Sequence, residues 1–126
     1  MTTVVLVIED NEQNLYLMRF LLEKHGFTVF EAMDGMKGVE TAKKIKPNII
    51  LLDIQLPKMD GYAVARELRK NDDLAATTIV AVTSYAMVGD RERVLEAGAD
   101  GYIEKPIDPE RFIEQISKYI NPGYTQ

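Results

Sequence analysis

Apolar residues fall along this chain in two rhythms. Short runs rich in Val and Ile read as strands: Val4–Glu9, Thr28–Glu31, Ile49–Asp53, Ile79–Thr83 and Tyr102–Glu104. The runs at Val4 and Ile49 are almost wholly apolar, the pattern of parallel strands buried on both faces. Between the runs lie segments with helical spacing. Asn14, Leu17, Met18, Leu21, Leu22 and His25 repeat as one stripe, Met36, Val39 and Ala42 as a second, and Phe112, Ile113, Ile116 and Ile120 as the last. Gly26 and Gly98 follow helical stretches and fit positions just past a helix end. Asp34, Asp60 and Asp108 stand where helix caps belong, and Pro109 suits a first helical turn. The tail Asn121-Pro-Gly-Tyr-Thr-Gln126 is polar and is expected to fray.

Alternation of strand and helix predicts an α/β fold: a doubly wound parallel sheet with helices on both faces and right-handed crossovers. With five strands and five helices the expected order is 2-1-3-4-5, the flavodoxin-like arrangement. Its switch point falls between the first and third strands, where such sheets place their chemistry. Nothing along the chain suggests a second domain.

That topology brings the ends of two apolar runs together. Glu9 and Asp10 end the first and Asp53 ends the third. An isolated Glu-Asp pair is usually just favoured by a helix N-terminus. A third acid beside it changes the balance, because adjacent carboxylates repel unless a cation or a proton separates them. Mg²⁺ suits such a site, with Mn²⁺ as a substitute, since it takes oxygen ligands and needs only one or two carboxylates. Zinc does not: there is no Cys, and the single His25 lies outside the cluster. Asp53 is either a metal ligand alone or also a nucleophile that forms an aspartyl phosphate. Thr83 ends the fourth strand and Lys105 follows the fifth. Each alone would be an ordinary strand threonine or surface lysine. Together they put a hydroxyl and an ammonium at the same sheet edge, as phosphoryl transfer to a carboxylate requires.

Composition narrows the setting. The chain has 126 residues, 46% hydrophobic and 28% charged, enough for one core. A net charge of −5 argues against general nucleic-acid binding. The absence of Cys excludes disulfides and thiol chemistry. No apolar run is long enough to span a membrane, and the strand pattern starts too early for a signal peptide. A cytoplasmic location without membrane contact is the expectation.

The motifs Val7-Ile-Glu-Asp-Asn11, Leu52-Asp-Ile-Gln-Leu-Pro57 with Asp60-Gly61, Ala81-Val-Thr-Ser84, Glu96-Ala-Gly-Ala-Asp100 and Tyr102-Ile-Glu-Lys-Pro106 run in order along nearly the whole chain. In them the chain resembles the receiver domain of two-component response regulators. The resemblance implies a receiver over residues 1–121 and a flexible tail over 122–126. It implies that Asp53 is the phosphoacceptor, and that Asp10, Asp53 and the backbone carbonyl of Gln55 bind Mg²⁺, with Glu9 acting through water. Thr83 and Lys105 would contact the phosphoryl oxygens, and Tyr102 would be the aromatic switch. The Lys105–Pro106 bond would be cis. Gln55 and Tyr85 would tune phosphoryl lifetime by controlling the approach of water.

The chain stops soon after its fifth helical segment, so the resemblance is to a stand-alone receiver, a relay member or a direct binder of a target protein. Its expected phosphodonor is a histidine kinase or a histidine phosphotransfer protein. In the family the first helix and the loop at Pro106-Ile107 dock that donor. Leu15, Tyr16 and Phe20 lie off the core stripe of that helix, next to Asn14, and give weak independent support. The equally plain reading is aromatic rings lying on the surface.

Three alternatives compete. An aspartyl phosphatase would be an enzyme, but such enzymes commonly carry a second acid where this chain has Gln55. A flavodoxin-like cofactor binder would need a Ser-, Thr- or Gly-rich first loop, where this chain has Glu9-Asp-Asn-Glu12. A receiver cut from a hybrid kinase or multidomain regulator would share every motif. The expected role is a phosphoacceptor switch rather than an enzyme.

Overall fold

The computed structural model of the chain describes residues 3–56, 60–84 and 88–120. The elements alternate throughout. They are β1 (Val4–Ile8), α1 (Glu12–Lys24), β2 (Thr28–Ala32), α2 (Gly35–Ile45), β3 (Ile49–Asp53) and α3 (Gly61–Arg69). After a short 3-10 turn at Asp72–Leu74 come β4 (Thr78–Thr83), α4 (Val88–Ala97), β5 (Gly101–Glu104) and α5 (Phe112–Ile120). All strand pairs are parallel, in the order β2-β1-β3-β4-β5. The expected fold class and strand order are those observed.

The apolar runs are explained by two cores. Successive side chains of a strand point to opposite faces. On β1 and β3, Leu6, Ile8, Ile50 and Leu52 enter the core shared with α2, α3 and α4. Val5, Val7, Ile49 and Leu51 enter the core shared with α1 and α5, where Phe112 and Ile116 are fully buried. A strand with both faces covered must be apolar at every position. Each such side chain contributes roughly 1.5–3 kcal/mol through burial.

Two helix stripes differ from expectation. On α1 the buried residues are Leu15, Met18, Leu21 and Leu22, while Asn14 and Leu17 are only half-buried and His25 is exposed. Apolar residues nearly encircle this helix, so contacts with β1, β2 and α5 set its rotation rather than its own spacing. On α2, Met36 is 73% exposed, and Gly35 and Gly38 are buried beside Val39 and Ala42. The helix lies so close to β1 that a Cβ at Gly38 would stand 2.5 Å from the Ile8 side chain. Glycines therefore form the contact face.

The caps explain the helix ends. Asp34 and Asp60 accept from the backbone N–H of Lys37 and Ala63 at 2.8 Å. Gly26 and Gly98 take φ of +87° and +118°, which closes the helices before them. Asp108 accepts from Glu110 N–H, but α5 begins only at Phe112, so Pro109 lies in a preceding turn. The tail expected to fray, 121–126, lies outside the described residues.

Candidate functional site: an acidic cluster with one lysine

The parallel register delivers the acids. Ile8 pairs with Leu52, so Glu9 and Asp53 extend side by side from neighbouring strands. The backbone holds both ends: Glu9 N–H donates to the Ala32 carbonyl at 3.0 Å, and Ile54 N–H to the Val82 carbonyl at 3.2 Å. Carboxylate oxygens of Glu9, Asp10 and Asp53 all lie within 4.8 Å of one another. Glu9 and Asp53 are buried, at 0% and 2% exposure, whereas Asp10 is exposed. The cluster thus has a buried floor and an open rim.

Lys105, just past the end of β5, closes the cluster. Its Nζ lies 3.2 Å from Asp53 Oδ1 and 3.3 Å from Glu9 Oε1. Lys105 N–H donates to the Thr83 carbonyl at 2.9 Å, which ties the lysine to the end of β4, and the Lys105–Pro106 peptide is cis. Thr83 is buried at the same edge, at 2% exposure. Gln55 N–H donates to Asp53 Oδ1 at 2.9 Å, and Asn11 N–H to Glu9 Oε2 at 3.1 Å. Asn11 also caps α1 through its side chain, which accepts from Asn14 N–H. An Asn immediately before Glu12 is a cap signal legible in the sequence.

Burial pushes the Glu9 carboxyl up from 4.5 to about 7, helped by the neighbouring Asp53 carboxylate. The Asn11 N–H and the Lys105 ammonium oppose this more weakly. Glu9 Oε1 is buried and closes no hydrogen bond of good geometry among the described residues, despite the nearby ammonium. Three carboxylates and one ammonium sum to −2 when all are ionised. A hard divalent cation with oxygen ligands balances that charge and would occupy the unsatisfied acceptor side, so the residues fit Mg²⁺.

The comparisons bear on this edge of the sheet. The family model of the response regulator receiver domain matches residues 5–117. The chain belongs to the response regulator receiver domain family. The polar-differentiation response regulator DivK of Brucella anthropi is 40% identical to it over 116 residues, 92% of this chain and 94% of that protein. DivK of Brucella ovis is also 40% identical, over 95% of this chain and 98% of its own length. Among solved structures, the receiver domain of sensor histidine kinase PA1611 from Pseudomonas aeruginosa PAO1 is 32% identical and superposes with a TM-score of 0.86, covering 95% of this chain and 98% of that one. That structure has a magnesium ion coordinated in its active-site cleft. Chemotaxis protein CheY4 of Vibrio cholerae, at 23% identity and a TM-score of 0.90, shares the fold over 94% of this chain and 99% of its own.

The other residues expected at the site fall as follows. Tyr102 is half-buried against the α2, α3 and α4 core, and the Arg91 guanidinium lies over its ring at 5.0 Å. Sequence spacing gave no sign of Arg91, because a stacked arginine and a solvated one look alike in sequence. Tyr85, expected to tune phosphoryl lifetime, lies outside the described residues. The residues expected to dock the donor divide by exposure. Tyr16 and Phe20 are exposed and stack at 6.3 Å, and Pro106 is exposed. Leu15 and Ile107 are instead core residues, at 6% and 8% exposure, and Asn14 is half-buried in the first turn of α1. Leu15 turns inward with the rotated stripe, and Ile107 packs with Phe112 and Ile116 beneath the loop.

Proposed function

We infer that this receiver is a phosphoacceptor switch in a two-component phosphorelay, with Asp53 as the acceptor. The observation that carries the reading is the Lys105 ammonium held 3.2 Å from a buried carboxylate at the carboxyl edge of the sheet, beside two further acids. Asp10, Asp53 and the Gln55 carbonyl would hold Mg²⁺, with Glu9 acting through water. When bound, that ion neutralises charge developing on the phosphoryl oxygens.

The donor is a phosphohistidine of a kinase or a histidine phosphotransfer protein. A carboxylate oxygen of Asp53 attacks phosphorus, and a P–O bond forms as the donor's P–N bond breaks. The bonding pair returns to the imidazole nitrogen. Lys105 and Thr83 then contact the phosphoryl oxygens, and the added charge shifts Thr83 and Tyr102 to a second arrangement that a target protein reads. Tyr16, Phe20 and Pro106 offer exposed apolar surface for the donor. With Gln55 where phosphatases of this chemistry carry an acid, the chain acts as a switch and not as a turnover enzyme.

The likeness to a kinase-borne receiver from Pseudomonas favours a second reading, in which the same chemistry operates within a hybrid kinase. Both readings share one test of the acceptor. Incubation with acetyl phosphate and Mg²⁺ adds one phosphoryl group by intact mass, and Asp53→Ala adds none. An adduct mapped to Asp10 or to any Ser or Thr would overturn the assignment.

A further inference from the structure

α4 is lightly anchored. Among its described side chains only Val94 and Ala97 are buried, while Leu95 is 49% exposed and Arg91, Glu92, Arg93 and Glu96 face solvent. Two cation–π contacts supplement this anchoring on opposite sides. Arg93 lies over the Tyr62 ring of α3 at 4.3 Å, and Arg91 over the Tyr102 ring of β5 at 5.0 Å. Arg91 makes no ion pair among the described residues, and its guanidinium lies over that ring. Tyr102 pairs with Ala81 on β4, two residues before Thr83. The arginine therefore covers a ring placed beside the strand end that carries the phosphoryl contacts.

We propose that Arg91 is a positioning residue that holds Tyr102 in its resting arrangement, so that the Arg91–Tyr102 contact sets how readily the switch turns. The inference rests on the phosphoacceptor reading and on Tyr102 as the moving ring. An inward turn of the ring removes the face on which Arg91 stacks, so the contact stabilises the resting state alone. An effector that binds the turned state gains apparent affinity when the resting state is weakened, in proportion to the population released.

The probe is beryllofluoride with Mg²⁺, titrated into wild type and variants. A contact of this kind at a solvent-facing site corresponds to about a two- to fivefold change in the equilibrium. Arg91→Ala and Arg91→Gln should each tighten apparent beryllofluoride affinity by about that factor. Arg93→Ala, which releases the same helix from Tyr62, should not. In a Tyr102→Leu background Arg91→Ala should have no effect, which isolates the contact from any general loosening of α4. Tyr102 ring signals in NMR should move toward their activated positions in free Arg91→Ala. Unchanged affinity in both Arg91 variants, or equal tightening in the Tyr102→Leu background, would overturn the proposal. If wild type itself binds no beryllofluoride, the phosphoacceptor reading is what fails. Binding that persists in Asp53→Ala has the same meaning.

Discussion

Glu9 shows how one residue sets the pH behaviour of the site. Its carboxyl titrates near 7 in the folded protein because it is fully buried beside Asp53. In the unfolded chain it titrates near its ordinary 4.5. A raised carboxyl means that the folded state binds more protons between those values, so stability is greatest below about 4.5 and is lost as pH rises toward 7. The shift corresponds to a loss on the order of 3 kcal/mol. In EDTA, thermal melts from pH 5 to pH 8 should show wild type losing stability relative to Glu9→Gln, which cannot ionise. Parallel profiles would mean that Glu9 stays charged throughout. Mg²⁺ favours the ionised cluster, so adding it should flatten the wild-type profile.

At the scale of elements, Gly61 shows how tightly α3 is set against β3. A Cβ there would stand 2.4 Å from Ile54 Cα and 2.8 Å from the Asp53 carbonyl oxygen. Both are backbone atoms and cannot swing aside, so Gly61→Ala must move the chain at Asp53. Overpacking of this kind costs about 1–3 kcal/mol. The expected result is a melting temperature lower by several degrees together with weaker Mg²⁺ binding, since Asp53 and the Gln55 peptide move with Ile54. A stability loss with Mg²⁺ affinity unchanged would mean that the strain is absorbed in α3. The sequence marked Asp60-Gly61 as a turn and cap, but the need for a bare Cα arises from the distance between two elements, which no local pattern records. The same limit explains α1 and α2. Strand runs were legible because double-sided burial demands apolar residues at every position, whatever the neighbours are. The phase of a helix is legible only when one face is polar. On α1, Leu15, Leu17, Met18, Leu21 and Leu22 allowed two rotations, and on α2 the contact face is made by glycines that a hydrophobic count ignores. The acidic cluster was legible because it lies at strand ends, where register rather than packing fixes position. Arg91 was not, because a cation over a ring depends on where a surface side chain comes to rest.

For the whole molecule, the site and the fold pull against each other. The doubly wound topology forces the ends of β1 and β3 together, and with them three carboxylates within 4.8 Å. Two ionised carboxylates at that separation repel by roughly 3 kcal/mol at an effective dielectric of about 20. Lys105 offsets part of this, and proton uptake by Glu9 offsets a further part, while Asp10 lies exposed on the rim. The metal-free protein therefore folds against a residual repulsion, and any cation that binds the native cluster stabilises the entire domain by linkage. Mg²⁺ at a hundred times its dissociation constant should add about 2.7 kcal/mol, seen as a melting temperature that climbs with Mg²⁺ concentration. Asp10→Asn separates the two contributions. It removes one repelling charge while keeping side-chain shape, so in EDTA it should be more stable than wild type by about 1 kcal/mol, the exposed position screening the remainder. It also removes a carboxylate proposed to hold the ion, so its stability should respond less to Mg²⁺, and the two melting curves should cross as the ion is added. A variant less stable than wild type in EDTA would show that Asp10 makes favourable contacts that outweigh the repulsion. Curves that rise in parallel would place the stabilising cation away from this cluster.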